Sequence, residues 1–169
     1  MQHDSIGTGD KVKFSEGERA DQVFVLASEL VYFAQKSVTK EADLCLAEYG
    51  YGRAHYRAMH MIRHHHAATT SDLLKLLKIK AASLNRVMRE LIRDGHVVQE
   101  NNSDDRRVRH HYLTVKGSEL QQRVFDLQKR VFAHVFEESG RASVQEFLKV
   151  LYLLVPEEER EFLSGNLSF

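Results

Sequence analysis

Two clusters of polar and basic residues in the middle of the chain have the types and spacing needed to read a nucleic acid. In the first, Lys80, Ala82, Ser83, Asn85, Arg86 and Arg89 lie on or beside one side of a segment whose other side is Leu84, Val87, Met88 and Leu91. Arginine forks onto guanine and asparagine onto adenine, while small alanine and serine side chains let a helix approach the base edges. A lysine just ahead of such a helix suits a phosphate. In the second cluster, Asp105, Arg106 and Arg107 are followed by Arg109. An arginine at a hairpin tip reaches the negative potential of a minor groove, and an aspartate two positions earlier holds the guanidinium by a fork-like pair. The alternative is a solvated helix face with surface ion pairs of little energetic weight. Any one of these residues fits that alternative well; the whole set fits it less well.

The elements that must position these clusters follow from the apolar spacing. Val23, Leu26, Ala27, Leu30, Val31 and Ala34 recur every three or four residues and predict a helix from about Asp21 to Leu46. Tyr49-Gly50-Tyr51-Gly52 breaks it, and a second helix runs from about Arg53 to His64. Thr69 with Asp72 makes a capping box in which aspartate stands in for the usual Glu or Gln. It opens a short third helix with Leu73, Leu74, Leu76 and Leu77 as its apolar side. Lys78-Ile79-Lys80 leads to a fourth helix from about Ala81 to Arg93, closed by Gly95. Two helices joined by so short a turn form a helix-turn-helix.

Two β-like runs, 96–100 and 108–113, flank the turn formers from Asn101 to Asp105 and read as a hairpin, or wing. The helical period returns from about Lys116 to Glu138, with Leu120, Val124, Leu127, Val131 and Val135 in one stripe and Phe125, Phe132 and Phe136 broadening it. Gly140 breaks this helix, another spans about Ser143 to Leu154 before Pro156, and a short acidic helix covers Glu157 to Leu163. The expected fold is mainly α: a winged helix-turn-helix over about 53–115, with a two-stranded β wing. Dimerisation helices are expected over about 21–46 and 116–164, and residues 1–18 as a flexible segment ahead of a regulator domain spanning 19–169. The terminal helices carry more apolar surface than one small winged-helix domain buries. A second copy of the chain, in a symmetric dimer, is the simplest cover; folding back onto their own core is the alternative.

Composition narrows the class. Of 169 residues, 43% are hydrophobic and 28% charged, there is one proline, and 24 basic residues balance 24 acidic ones. The balance hides a segregation: residues 53–111 hold 12 Lys/Arg against 6 Asp/Glu, and eight of the ten histidines. A basic middle with acidic flanks binds a polyanion locally without adhering to it everywhere. No apolar run approaches the ~18 residues of a membrane span. The polar N-terminus does not read as a secretory signal, and a single cysteine excludes an internal disulfide. A cytoplasmic protein that binds no membrane is expected.

The motifs together resemble the MarR family of winged helix-turn-helix transcription regulators. Leu46-Ala47-Glu48-Tyr49-Gly50-Tyr51 is similar to the approach to the family's second helix, and Thr69-Thr70-Ser71-Asp72-Leu73 to the start of its helix-turn-helix. Ser83-Leu84-Asn85-Arg86-Val87, then Leu91 and Asp94-Gly95-His96-Val97, resembles its recognition helix and the lead into its wing. Asp105-Arg106-Arg107 followed by Leu113-Thr114-Val115-Lys116-Gly117 is the most specific part, and the similarity covers about residues 21–137. Two departures stand out. Arg109, His110 and His111 make the returning strand unusually polar, and Lys80 stands where Ser or Thr commonly caps the recognition helix.

The resemblance implies a homodimer on a pseudo-palindromic double-stranded DNA operator, with Arg107 in the minor groove and Asp105 as its orienting partner. It also implies a small-molecule effector, for which Tyr32, Phe33, Tyr51 and His55 are the candidate lining residues. Relatives that sense zinc or peroxides keep a metal- or redox-responsive regulator open as an alternative. His60 and His64 have i, i+4 spacing with His65 and His66 following, but no Cys or carboxylate close by in sequence completes a site. A histidine-rich helix end complementing the dipole is the simpler account, and no metal or other cofactor is expected. Cys45 has acidic Asp43 and Glu48 nearby, which disfavour a thiolate. A winged-helix module that binds protein is the other alternative. With no phosphate loop, nucleophile elbow or catalytic cluster, the chain does not read as an enzyme.

Overall fold

The computed structural model describes residues 18–65, 68–101 and 109–163. Its elements are α1 (Glu18–Ala47), α2 (Arg53–His64), α3 (Thr70–Leu77), α4 (Ala81–Arg93), β1 (Val97–Asn101), β2 (Arg109–Leu113), α5 (Val115–Leu154) and α6 (Glu157–Arg160). The fold is mainly helical with one two-stranded antiparallel sheet, as the apolar spacing predicts. Among the described residues no helix is long and apolar enough to cross a membrane.

The chain divides after Ser37 into two units. In the first, every residue from Asp21 to Ser37 is exposed, including Val23, Phe24, Val25, Leu26, Leu30, Val31, Tyr32 and Phe33. At 3.6 residues per turn, Phe24 and Val31 lie on one side of the helix and Val25 and Tyr32 lean toward the other. The helix is therefore apolar around most of its circumference, the pattern of a helix meant to be enclosed.

The second unit holds the core. Ala42, Cys45 and Leu46 from the end of α1 pack with Ala58, Met59 and Ile62 of α2, Leu73 of α3, the α4 stripe, Val97 of β1, and Leu120 and Val124 of α5. The α4 stripe is Leu84, Val87, Met88 and Leu91, the four residues expected to be buried. Arg53 at the start of α2 grips Asp43 through Nε and Nη2 at 2.7–3.1 Å and reaches Thr39 Oγ1 at 2.8 Å, tying α2 to the end of α1.

Local chemistry sets the boundaries. Thr69 caps α3 in the expected box: its Oγ1 accepts from the Asp72 amide at 3.2 Å, and Asp72 Oδ2 accepts from the Thr69 amide at 2.9 Å. The hydrogen bonds to Thr69 hold the Asp72 carboxyl below its usual range. Lys78 ends α3 in the left-handed region at φ 48°, and Lys80 precedes α4 in extended backbone with no side-chain cap. Gly140, at φ 74° and ψ 159°, interrupts α5 where the sequence places the break. Boundaries shift slightly elsewhere: β1 starts at Val97 and not His96, α5 starts at Val115, and α6 stops at Arg160.

Candidate nucleic-acid interface

α4 follows α3 through the turn Lys78-Ile79-Lys80, so one face of α4 packs on the domain and the other is left to solvent. Lys80, Ala82, Ser83, Asn85, Arg86 and Arg89 are all exposed. Helical spacing gathers Ala82, Asn85, Arg86 and Arg89 opposite the buried stripe, with Ser83 toward one flank. Among the described residues neither Arg86 nor Arg89 has an ion-pair partner, whereas Arg53, Arg93 and Arg123 do. Both guanidinium groups lie on the exposed face of α4.

β1 and β2 pair antiparallel, with Val97 opposite Leu113 and Asn101 opposite Arg109. Arg109, at the start of the returning strand, is exposed. Asp105, Arg106 and Arg107 lie outside the described residues. The polar returning strand has an explanation in His111, which is only 2% exposed. Its amide donates to Ala68 O at 3.0 Å, and its Nε2 lies 3.1 Å from Thr70 Oγ1. The histidine is an inward-facing residue that fastens the wing to the lead-in of α3.

A second set of residues, not expected from the sequence, fixes α4 from the side. Tyr51 Oη donates to Asp94 Oδ2 at 2.8 Å. Since Arg93 and Tyr51 bonding holds Asp94 down to about 2, the carboxylate only accepts, and the tyrosine proton is committed to it. His96 Nδ1, 3.0 Å from the same Oη, must therefore carry a proton and donate. One turn further back on α4, His55 Nε2 lies 2.6 Å from Glu90 Oε2. The Gly52 amide donates to His55 Nδ1 at 3.1 Å, which makes Nε2–H the donor to Glu90. The His55 bond holds the Glu90 carboxyl below its usual range. Burial pushes the Tyr51 hydroxyl up.

The two rings stack with centroids 4.5 Å apart and planes 6° from parallel. Tyr51 and His55 are thus buried, at 7% and 5% exposure, and hydrogen-bonded within the second unit. Tyr32 and Phe33 are exposed in the first unit, in an edge-on contact at 5.1 Å. The sequence carries a partial signal for these pairings: Glu90 and Asp94 are four residues apart along and just past α4, whereas Tyr51 lies before the Gly52 cap of α2 and shares no helical face with His55.

Close backbone contact joins the wing to α5. Thr114 Oγ1 accepts from the Gly117 amide at 3.0 Å and donates to Gly95 O at 2.8 Å, while Lys116 Nζ donates to Asp94 O at 2.8 Å. A Cβ at Gly117 would stand 2.0 Å from the backbone oxygen of His96, so only glycine fits.

Of the residues weighed for other chemistry, His66 lies outside the described residues. The His60 and His64 rings meet at 4.4 Å with their planes tilted by 45°, and His60 Nδ1 faces Gln121 Nε2 at 3.4 Å. Among the described residues, no group of three or more His, Cys, Asp and Glu is arranged to hold a metal ion. Cys45 is buried in the core, and desolvation pushes its thiol up, away from the reactive thiolate.

A sequence profile of the MarR family matches residues 49–108. The HTH-type transcriptional regulator PetP of Rhodobacter capsulatus is 36% identical over 123 residues, covering 73% of this chain and 74% of that protein. Among solved structures, a MarR family transcription regulator matches with a TM-score of 0.70 at 18% identity, over 80% of this chain and 89% of its own. A mutant MarR of E. coli complexed with operator DNA matches with a TM-score of 0.63 at 18% identity, over 80% of this chain and 97% of its own. At these identities the two structures establish a common fold.

Proposed function

This chain belongs to the MarR family, and from that premise we propose that it is a dimeric, sequence-specific DNA-binding transcription regulator. The observation that carries the reading is the exposed face of α4, where Asn85, Arg86 and Arg89 project from a helix-turn-helix with both guanidinium groups unpaired among the described residues. Two such faces related by a two-fold axis reach successive major grooves of one duplex, about 10 bp apart. Arg86, Arg89 and Asn85 contact base edges, Ala82 and Ser83 allow the approach, and Lys80 meets phosphate. Arg109 extends the basic surface toward the wing, where Asp105, Arg106 and Arg107 supply the minor-groove contact that the family resemblance implies. The fold shared with an operator-bound relative supports this assignment.

The functional parts follow: a winged helix-turn-helix over about 53–115, dimerisation helices over about 21–46 and 116–164, and an N-terminal segment, 1–18, outside both. The exposed apolar residues of α1 and of α5, among them Phe132, Val135, Phe147 and Val150, support a second copy as their cover. Family analogy adds modulation by a small-molecule effector, with Tyr32 and Phe33 as exposed aromatic surface for it.

A gel-shift titration tests the reading. The chain should select a pseudo-palindromic duplex from a random pool, and log affinity should fall linearly with log salt as displaced counterions are released. Equal affinity for every duplex, or salt-independent binding, would overturn it.

A further inference from the structure

We propose that Tyr51 and His55 are positioning residues that set the roll of α4 about its own axis, by gripping Asp94 and Glu90. The inference rests on the DNA-binding role of α4 and goes further, by naming what aims its base-reading face. The buried stripe of α4 is Leu84, Val87, Met88 and Leu91. Apolar burial of this kind is non-directional: it holds a helix against the core but resists small rolls weakly. Hydrogen bonds are directional and fail steeply with distance. Glu90 and Asp94 lie on a flank of α4 about a quarter turn from the stripe, the place where a lateral stay controls roll best.

The geometry makes the two grips one device. The Tyr51 bond at 2.8 Å and the His55 bond at 2.6 Å are one turn apart on α4, and the gripping rings are stacked on each other. The device is anchored on three sides. Gly52 fixes His55 at the start of α2, Tyr49 stacks on Tyr51 at 6.1 Å from the end of α1, and His96 at the start of the wing donates to Tyr51. Arg93 forks onto Asp94 at 2.7 and 2.9 Å and steadies the carboxylate. With a helix radius, side chains included, of about 5–6 Å, a roll of about 20° moves Arg86 and Asn85 by ~2 Å. That exceeds the range of a base-edge hydrogen bond, but a phosphate still feels the charge. Loss of the grip should therefore erase sequence discrimination and leave non-specific binding in place.

The test uses the full chain, the duplex it enriches most from a randomised pool, and a scrambled duplex of the same composition, at fixed salt. Tyr51→Phe keeps the ring and removes only the hydroxyl. Glu90→Ala removes the other anchor, and Glu90→Gln restores an acceptor without the charge. Both Tyr51→Phe and Glu90→Ala should cut the ratio of selected to scrambled affinity about tenfold, with scrambled binding unchanged or, for Glu90→Ala, slightly tighter. Glu90→Gln should recover most of the ratio. Thermal unfolding of each variant is read alongside, and if Tyr51→Phe fails to fold, the two Glu90 variants decide. A ratio unchanged in Tyr51→Phe and Glu90→Ala, or equal losses on both duplexes, would overturn the positioning role alone. Failure of the unaltered chain to enrich any duplex would overturn the DNA-binding reading and this inference with it.

Discussion

Lys80 and Arg86 carry the same charge on the same helix-turn-helix, both exposed, yet they stand at different places relative to a bound duplex. On the proposed reading Lys80, which precedes α4, meets a phosphate that every sequence offers, and Arg86, on the face opposite the core, meets a base edge, where guanine offers a fork. Arg86→Ala should lower discrimination between selected and random duplex about tenfold or more, in line with the ~1–3 kcal/mol carried by a good base contact. Lys80→Ala should weaken both duplexes alike and flatten the salt slope. Matched titrations of the two variants check this; proportional losses in both would remove the distinction.

Histidine chemistry makes a second prediction at this scale. His96 and His111 are 1% and 2% exposed, and His96 Nε2 and His111 Nδ1 have no partner among the described residues. Burial lowers both below the usual imidazole range, helped by Lys116 beside His96 and by Arg109 and His110 beside His111. The unfolded chain takes up protons near pH ~6.5 while the folded one does not. Stability is therefore full above that pH and falls as the medium is acidified toward the folded values, by up to about 1.4 kcal/mol per pH unit for each histidine. Urea unfolding between pH 7.5 and 5.5 measures the slope. Burial lowers His60 as well, helped by His64, His65 and Arg63, so His96→Asn, whose amide nitrogen replaces Nδ1 toward Tyr51, should reduce the slope by about a third.

Elements meet most tightly where α5 begins. Because a Cβ at Gly117 would sit 2.0 Å from a backbone oxygen, Gly117→Ala must push α5 off the turn before β1. The cost should be about 3 kcal/mol or more, at or above the usual range for overpacking, read as a fall in the denaturation midpoint. The element level is also where the sequence was most informative. Periodicity and glycine breaks located α2 and α4 to the residue, the Thr69–Asp72 box opened α3, and Gly140 interrupted α5. These features are local, written within a few residues of one another. The Tyr51–Asp94 and His55–Glu90 bonds join residues 43 and 35 positions apart. Local spacing does not show which residues so far along the chain meet, so Tyr51 and His55 read only as aromatic lining. His111 reads as a polar strand residue for the same reason: its Thr70 partner lies on another element.

For the whole molecule, the exposed apolar surface bears on the proposed assembly. Leu30 is 59% exposed in the single chain, so a glutamate there would be harmless to a protein that works alone. In the proposed dimer it is enclosed, and on that reading Leu30→Glu should weaken self-association about a hundredfold, or ~2.7 kcal/mol, as read by sedimentation across micromolar concentrations. Operator binding should fall with it, while the folding of the winged domain stays intact. Residues 21–37 of a lone chain have water on every side, and a helix of about that length is marginal by itself. If a second copy covers this stretch, as proposed, its stability is coupled to assembly, and assembly follows mass action. The melting midpoint should then climb as protein is added, and at low copy number the number of dimers should grow by up to the square of the number of chains made. On this reading a twofold change in expression should become a larger change in occupancy of the proposed operator.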